Sequence, residues 1–168
     1  MANIPRVPFT ITAMDPGKDT GLSFLLIEPD RYEVKETNVI RYRTGGVDIL
    51  NQLREWKTAS GDMPAIFLYE NFRVRTSKKS VNTTAIDVIG CVMSWIHDKH
   101  PYDKIVSYEP NQAKTNVQDK ILERLGIKES GGITRHSNDG LRHTVSWLLS
   151  QRYVPVAVDA FGPPPKAP

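Results

Sequence analysis

The sequence predicts an α/β fold built on a five-stranded mixed sheet, three antiparallel strands followed by two parallel ones, flanked by helices. Three observations carry that prediction. Apolar or alternating runs at 9–14, 21–28 and 32–42 follow one another with only turn-prone residues between them, the pattern of an antiparallel meander. After residue 46, helical and strand patterns alternate, as they do when parallel strands are joined by crossover helices. The first and fourth of the strand runs each end in an acid.

The first run leads into Asp15, which is followed at once by Pro-Gly, so the acid either opens an ordinary turn or is presented at a strand tip. Asp15 to Thr20 is turn-prone, GLSFLLIE (21–28) returns as the second strand, and Tyr32 to Tyr42 alternates as a third. Gly45-Gly46 precedes VDILNQLREWK, in which Ile49, Leu50, Leu53 and Trp56 repeat at helical spacing. After the breaker SGDMP, AIFLYE (65–70) is short, apolar and bounded, a buried strand whose terminal Glu70 repeats the situation of Asp15. A helix from about Thr83 to His97 places Ala85, Ile89, Val92 and Ile96 on one stripe, and IVSY (105–108) is the fifth strand.

Val117, Ile121 and Leu125 mark a further helix stopped by Gly126, and KESGG leads into a last helix from roughly Thr134 to Gln151. At about 100° per residue, Leu141, Val145, Leu148 and Leu149 of that helix share one side, while His136, Asp139 and His143 gather on the other. The expectation is a helix that packs with one stripe and presents the other. FGPPPKAP closes the chain as an extended or disordered segment, giving one domain over residues 1–161 and a proline-rich tail at 162–168.

At 168 residues and 39% hydrophobic content, the chain suits one domain with a real core. Twenty-two basic against nineteen acidic residues leave a net charge of +3, which permits a polyanionic partner without requiring one. The only cysteine, Cys91, sits in an apolar stretch, so an intrachain disulfide is excluded and a reducing compartment is expected. Cys91 and Gly90 read as close-packing residues. No apolar run approaches the length of a membrane span and the N-terminus lacks a signal-peptide pattern, so a cytoplasmic protein is expected, of a length that suits a phage or bacterial genome.

Order βββαβαβαα, acids ending the first and fourth strands, and an acid-histidine stripe opening the last helix occur together here. In DPGKDTG (15–21), YENF (69–72), PNQAK (110–114) and HSND (136–139), the chain resembles the RuvC-type Holliday junction resolvases of the RNase H-like fold, in the family's order across nearly its whole length. The resemblance implies that Asp15, Glu70 and Asp139, with His136, converge at one end of a sheet in which the first and fourth strands are neighbours. Like charges gathered without a counterion repel, whereas a divalent metal favours their ionised forms, so two magnesium or manganese ions are implied. Two such cations about 3.5–4 Å apart activate a water and stabilise the departing 3′ oxygen, leaving 5′-phosphate and 3′-hydroxyl ends. His136 is then either a ligand, better suited to manganese than to magnesium, or the group that positions the attacking water.

The resemblance also implies that Lys114 grips the scissile phosphate or neutralises the transition state, that Phe72 is the aromatic that opens the junction, and that the protein is a homodimer, since two nicks must be placed symmetrically. The glycine loop is one residue tighter than the usual family form. Arg73, Arg75, Lys78 and Lys79, directly after Glu70, flank the site with positive charge and read as phosphate-backbone contacts. His143 reads as a group behind the ligands or facing DNA, Tyr69 and Trp147 as packing residues near the site, and the helix at 83–97 with Trp95 as the dimer interface.

Each residue also has a plain alternative. Asp15 alone could be a turn acid, Glu70 an ion-pair partner of Arg73 or Arg75, Asp139 a helix-dipole acid, Lys114 an exposed helix lysine and 71–80 a solvated basic loop. It is their joint occurrence that points to chemistry. The rivals to junction resolution are a nuclease of the same fold for flaps, forks or RNA–DNA hybrids, and a non-catalytic member that only binds nucleic acid or a protein partner.

Overall fold

A computed structural model of the chain describes residues 6–43, 46–72, 83–109, 112–131 and 135–162. Strand β1 (Phe9–Asp15) pairs antiparallel with β2 (Asp19–Ile27), which pairs antiparallel with β3 (Tyr32–Arg41) across an irregularity between Phe24 and Leu25. Strand β4 (Ala65–Glu70) runs parallel to β1 on its other side, and β5 (Lys104–Tyr108) runs parallel to β4, giving the five-stranded order β3-β2-β1-β4-β5. The mixed sheet is the one the sequence predicts, with β1 and β4 as neighbours.

Strand β1 is buried along all seven residues because the sheet is covered on both faces. Its alternation sends Phe9, Ile11 and Ala13 into one core and Met14 into the other. The Met14 side is closed by α1 (Val47–Ser60) and α2 (Thr84–Lys99), which contribute Leu53, Trp56, Val88 and Val92. There Trp56 stacks on Phe24 at 5.4 Å and 10°, and its Nε1 donates to Glu36 Oε2 at 2.7 Å. Buried Thr10 also faces this way and shares a 3.0 Å hydrogen bond with Ser60 Oγ, so the polar atom is satisfied.

The opposite face is covered by α3 (Gln112–Asn116), α4 (Asp119–Arg124), α5 (Arg135–Ser150) and α6 (Val154–Phe161). The single helix expected around Val117–Leu125 is two short ones, broken where Gln118 takes an extended conformation. Helix α6 has no counterpart in the sequence reading: Pro155 at its start and the apolar run through Phe161 make a short helix. Tyr153, just before it, places its hydroxyl 2.6 Å from the carbonyls of Glu28 and Arg31 and so ties α6 to the β2–β3 turn.

Helix α5 departs most from expectation. Instead of presenting a polar stripe, it is buried on every side from Ser137 to Leu148. Small residues allow this: a Cβ on Gly21 would lie 1.9 Å from the carbonyl oxygen of His136, and one on Gly140 would lie 3.4 Å from the backbone nitrogen of Ser23. The helix therefore lies directly on β1 and β2, and whatever polar groups it carries there are interior groups. Among the described residues, a Cβ on Gly90 would meet open space, so it is not a close-packing residue there, and Cys91 is only half-buried. Trp147 is not near the strand-end acids either; its ring meets Phe9 edge-on at 6.3 Å, at the far end of β1.

Candidate metal centre

The parallel pairing of β1 and β4 sets Met14 beside Tyr69, so the next residues, Asp15 and Glu70, leave the sheet side by side. Alternation turns both toward α5: Ala13 and Leu68, two residues earlier on their strands, lie in the core on that face. Tyr69 points the other way and stacks with Phe67. Asp15 is 8% exposed and Glu70 is half-buried.

Helix α5 supplies the third side. Gly21, opposite Asp15 in the β1–β2 ladder, admits the start of the helix against the sheet, which brings His136 Nδ1 to 2.9 Å from Asp15 Oδ2. Two side chains from the helix start also hold the segment ahead of it: Ser137 Oγ donates to Glu129 Oε2 at 2.8 Å, and Asn138 brackets the Glu129 backbone at 2.9 Å on both its amide and its carbonyl. The hydrogen bond to Asp15 raises the pKa of His136 above the ordinary imidazole value, against partial burial, which lowers it.

One turn on, Asp139 is 2% exposed and lies between two cations. Lys114 Nζ on α3 is 2.8 Å from its Oδ2, and Arg142, one turn further along α5, pairs with its Oδ1. Arg142 also pairs with Asp119 and donates from Nε to the Val117 carbonyl at 3.2 Å, while Lys128 approaches Asp119 at 3.0 Å. Lys128, then Arg142, holds the Asp119 carboxyl below its usual range. A buried carboxylate is tolerable only with such compensation. Beside it a cavity of about 420 Å³ is lined by Lys114, Gln118, Asp119, Arg135, Asp139 and Arg142.

His143 needs a correction. It does not face DNA, being 1% exposed, with its ring against Tyr108 at 5.2 Å and Nε2 3.7 Å from Glu70 Oε2. Burial pushes its pKa down to about 4, so it is a neutral imidazole at neutral pH.

Among the described residues, ligand-type atoms thus form two overlapping groups, each within 4.8 Å: Asp15, His136 and Asp139, and Asp15, Glu70 and His143. The structure brings together four of the expected site residues, Asp15, Glu70, His136 and Asp139, sets Lys114 and His143 against them, and adds Arg142 and Asp119. Three carboxylates and two imidazoles, partly buried, are a donor set that fits divalent cations. Phe72 follows two residues after Glu70, 36% exposed. Arg73, Arg75, Lys78 and Lys79 lie outside the described residues. Asp19, at the start of β2, pairs with Arg41 at 2.8 Å and takes no part.

No protein-family model and no curated protein matches the sequence. The mixed five-stranded sheet, with helices on both faces and α5 laid across β1 and β2, is the RNase H-like fold. Among solved structures it is similar to T. thermophilus RuvC in complex with a Holliday junction substrate, with a TM-score of 0.58 and 15% identity over 84% of this chain and 95% of that one. Another similar structure is the nuclease domain of the P22 large terminase, with a TM-score of 0.43 and 11% identity over 90% of this chain and 85% of that domain. At these identities the likeness is one of fold.

Proposed function

We propose that this protein is a divalent-metal-dependent endonuclease that resolves Holliday junctions and related branched DNA, as a homodimer making paired symmetric nicks in recombination and repair. The observation that carries the reading is the convergence of Asp15, Glu70, His136 and Asp139 on the α5 side of two adjacent parallel strand ends. The fold it shares with RuvC bound to a junction supports the substrate.

Bound magnesium or manganese supplies the activation of a water and the stabilisation of the departing 3′ oxygen. Asp15 is central to that task, because its carboxylate belongs to both ligand groups. His136, hydrogen-bonded to Asp15, either completes the ligand set or orients the attacking water. Lys114 shares the neutralisation of Asp139 with Arg142; released from Asp139 by a bound divalent ion, it is placed to grip the scissile phosphate. Arg142 keeps Asp139 oriented from the opposite oxygen.

Outside the centre, Phe72 is the exposed aromatic that wedges the branch point, and Arg73, Arg75, Lys78 and Lys79 hold the DNA backbone. Dimerisation uses α2. Ile86 on that helix is 39% exposed, and Gly90, one turn on, leaves room for a close approach, with half-buried Met93 beyond it. Trp95 is less available than its sequence suggests, since its ring meets Tyr102 and lies under Arg54 at 5.9 Å.

The test is cleavage of a mobile four-way junction, a Y-fork, a linear duplex and an RNA–DNA hybrid in magnesium, manganese or EDTA. Paired symmetric nicks on the junction that need metal and vanish in Asp15→Asn are expected, with junction binding retained. Equal cutting of forks or hybrids would make the protein a broader nuclease of this fold. Binding without cleavage in any metal would leave a purely binding role.

A further inference from the structure

We infer that His143 is a metal ligand, forming with Asp15 and Glu70 a second cation site on the inner side of Asp15 that prefers a divalent transition ion such as Mn²⁺ to Mg²⁺. The inference rests on reading the cluster as a metal centre, and it is independent of which nucleic acid is cut.

A histidine buried in a core is ordinarily held by hydrogen bonds, because a buried imidazole without partners loses the water it bound in the unfolded chain. His143 is 1% exposed, yet among the described residues neither of its ring nitrogens has a hydrogen-bond partner. It is therefore a buried polar group whose purpose the packing does not explain. Its surroundings supply one. Nε2 lies 3.7 Å from Glu70 Oε2, too far for a hydrogen bond, and the third member of the group, Asp15, brings a ligand atom within 4.8 Å of both. Two donors each about 2.1 Å from one ion lie about 3–3.8 Å apart, so the spacing is that of atoms sharing a cation.

Position and rigidity agree. His143 is seven residues, two turns, beyond His136 and so faces the same way from deeper in the helix, while the Tyr108 ring at 5.2 Å fixes its plane. An imidazole in place of a carboxylate or water shifts preference away from magnesium, which favours all-oxygen shells, toward transition ions.

The test reads Mn²⁺ bound to the metal-free protein, by calorimetric titration and by the electron-spin-echo signal of histidine nitrogen coupled to the ion. His136 is partly exposed, so His136→Asn should fold. In that variant a histidine coupling must persist if His143 is a ligand. Bound Mn²⁺ with no histidine coupling in His136→Asn overturns the inference and leaves the metal-centre reading standing. Failure of wild type to bind Mn²⁺ at all overturns both.

As a second arm, His143→Leu and His143→Gln, each checked for folding by circular dichroism, should lose affinity for Mn²⁺ by about tenfold or more while Mg²⁺ affinity falls less. Equal losses for the two ions, or no loss in a folded variant, count against His143.

Discussion

The two halves of α5 are equally buried and chemically opposite. From Val145 onward it is an ordinary core helix, with Leu148 fully buried and Trp147 set edge-on to Phe9 and under the Lys104 ammonium at 5.6 Å. From His136 to His143 it carries a carboxylate, a guanidinium and the His143 imidazole into the same interior, with the partly exposed His136 imidazole at its edge. Burial stabilises the first half, by about 25 cal/mol per Å² of apolar surface removed from water, and works against the second. What holds the polar half in place is the set of opposite charges around it, Asp15, Lys114 and Asp119, and the room made by Gly21 and Gly140. Exposure alone therefore does not separate packing from function; the way each buried group is compensated does.

The sharpest way to break the polar half is at the contact that admits it. Gly21→Val places a side chain 1.9 Å from the His136 carbonyl and should cost about 4 kcal/mol or more, or prevent folding, as read by urea denaturation. The apolar half should respond differently: Leu148→Ala should cost about 3 kcal/mol while the folded variant keeps its metal affinity, measured by the same denaturation and by Mn²⁺ titration.

pH separates the two halves next. With its pKa lowered to about 4 in the folded protein, His143 takes up a proton more readily when unfolded, so metal-free stability should fall as pH drops below 6.5. Between pH 7 and pH 5 the loss should be about 2 kcal/mol, and His143→Leu should remove it. His136 acts with the opposite sign: its raised pKa stabilises the fold below 6.5 and that stabilisation is lost as pH rises through the folded value, so it offsets part of the loss near pH 7 to 6, and the difference between wild type and His143→Leu isolates the His143 contribution. The smallest effect concerns Lys114. Lys114→Met removes the ammonium that competes for Asp139, so divalent affinity should rise, by about fivefold for an interaction of about 1 kcal/mol, while cleavage falls. A drop in both would make Lys114 merely structural.

The strands and their terminal acids were legible in the sequence because they depend on local periodicity, a strand that ends in Asp15, another in Glu70, and helical patterns between later strands, whereas the neighbouring of β1 and β4 followed from the family resemblance. The stripe of His136 and Asp139 was legible as a helix face, and their meeting with Asp15 followed from the family resemblance. The burial of that stripe was not. Nothing local says that Gly21 lets α5 lie against β2 until the two backbones are set together, so a DNA-facing His143 stayed open beside one behind the ligands, and burial rules out the first. Arg142 carried a signal, since it stands one turn after Asp139, but its second partner Asp119 is visible only in three dimensions. Likewise the break at Gln118 was not legible from the apolar spacing of Val117, Ile121 and Leu125, which continues across it.

The central claim is that the polar half of α5 is an incomplete structure which a divalent cation completes. Thermal unfolding of wild type and Asp15→Asn at neutral pH, each in EDTA and in Mn²⁺, tests it most directly. At an ion concentration about a hundredfold above the dissociation constant, wild type should gain about 2.7 kcal/mol, a rise in Tm of about 5–10 °C, and the variant should gain far less. No shift in wild type, or the same shift in both proteins, would contradict it.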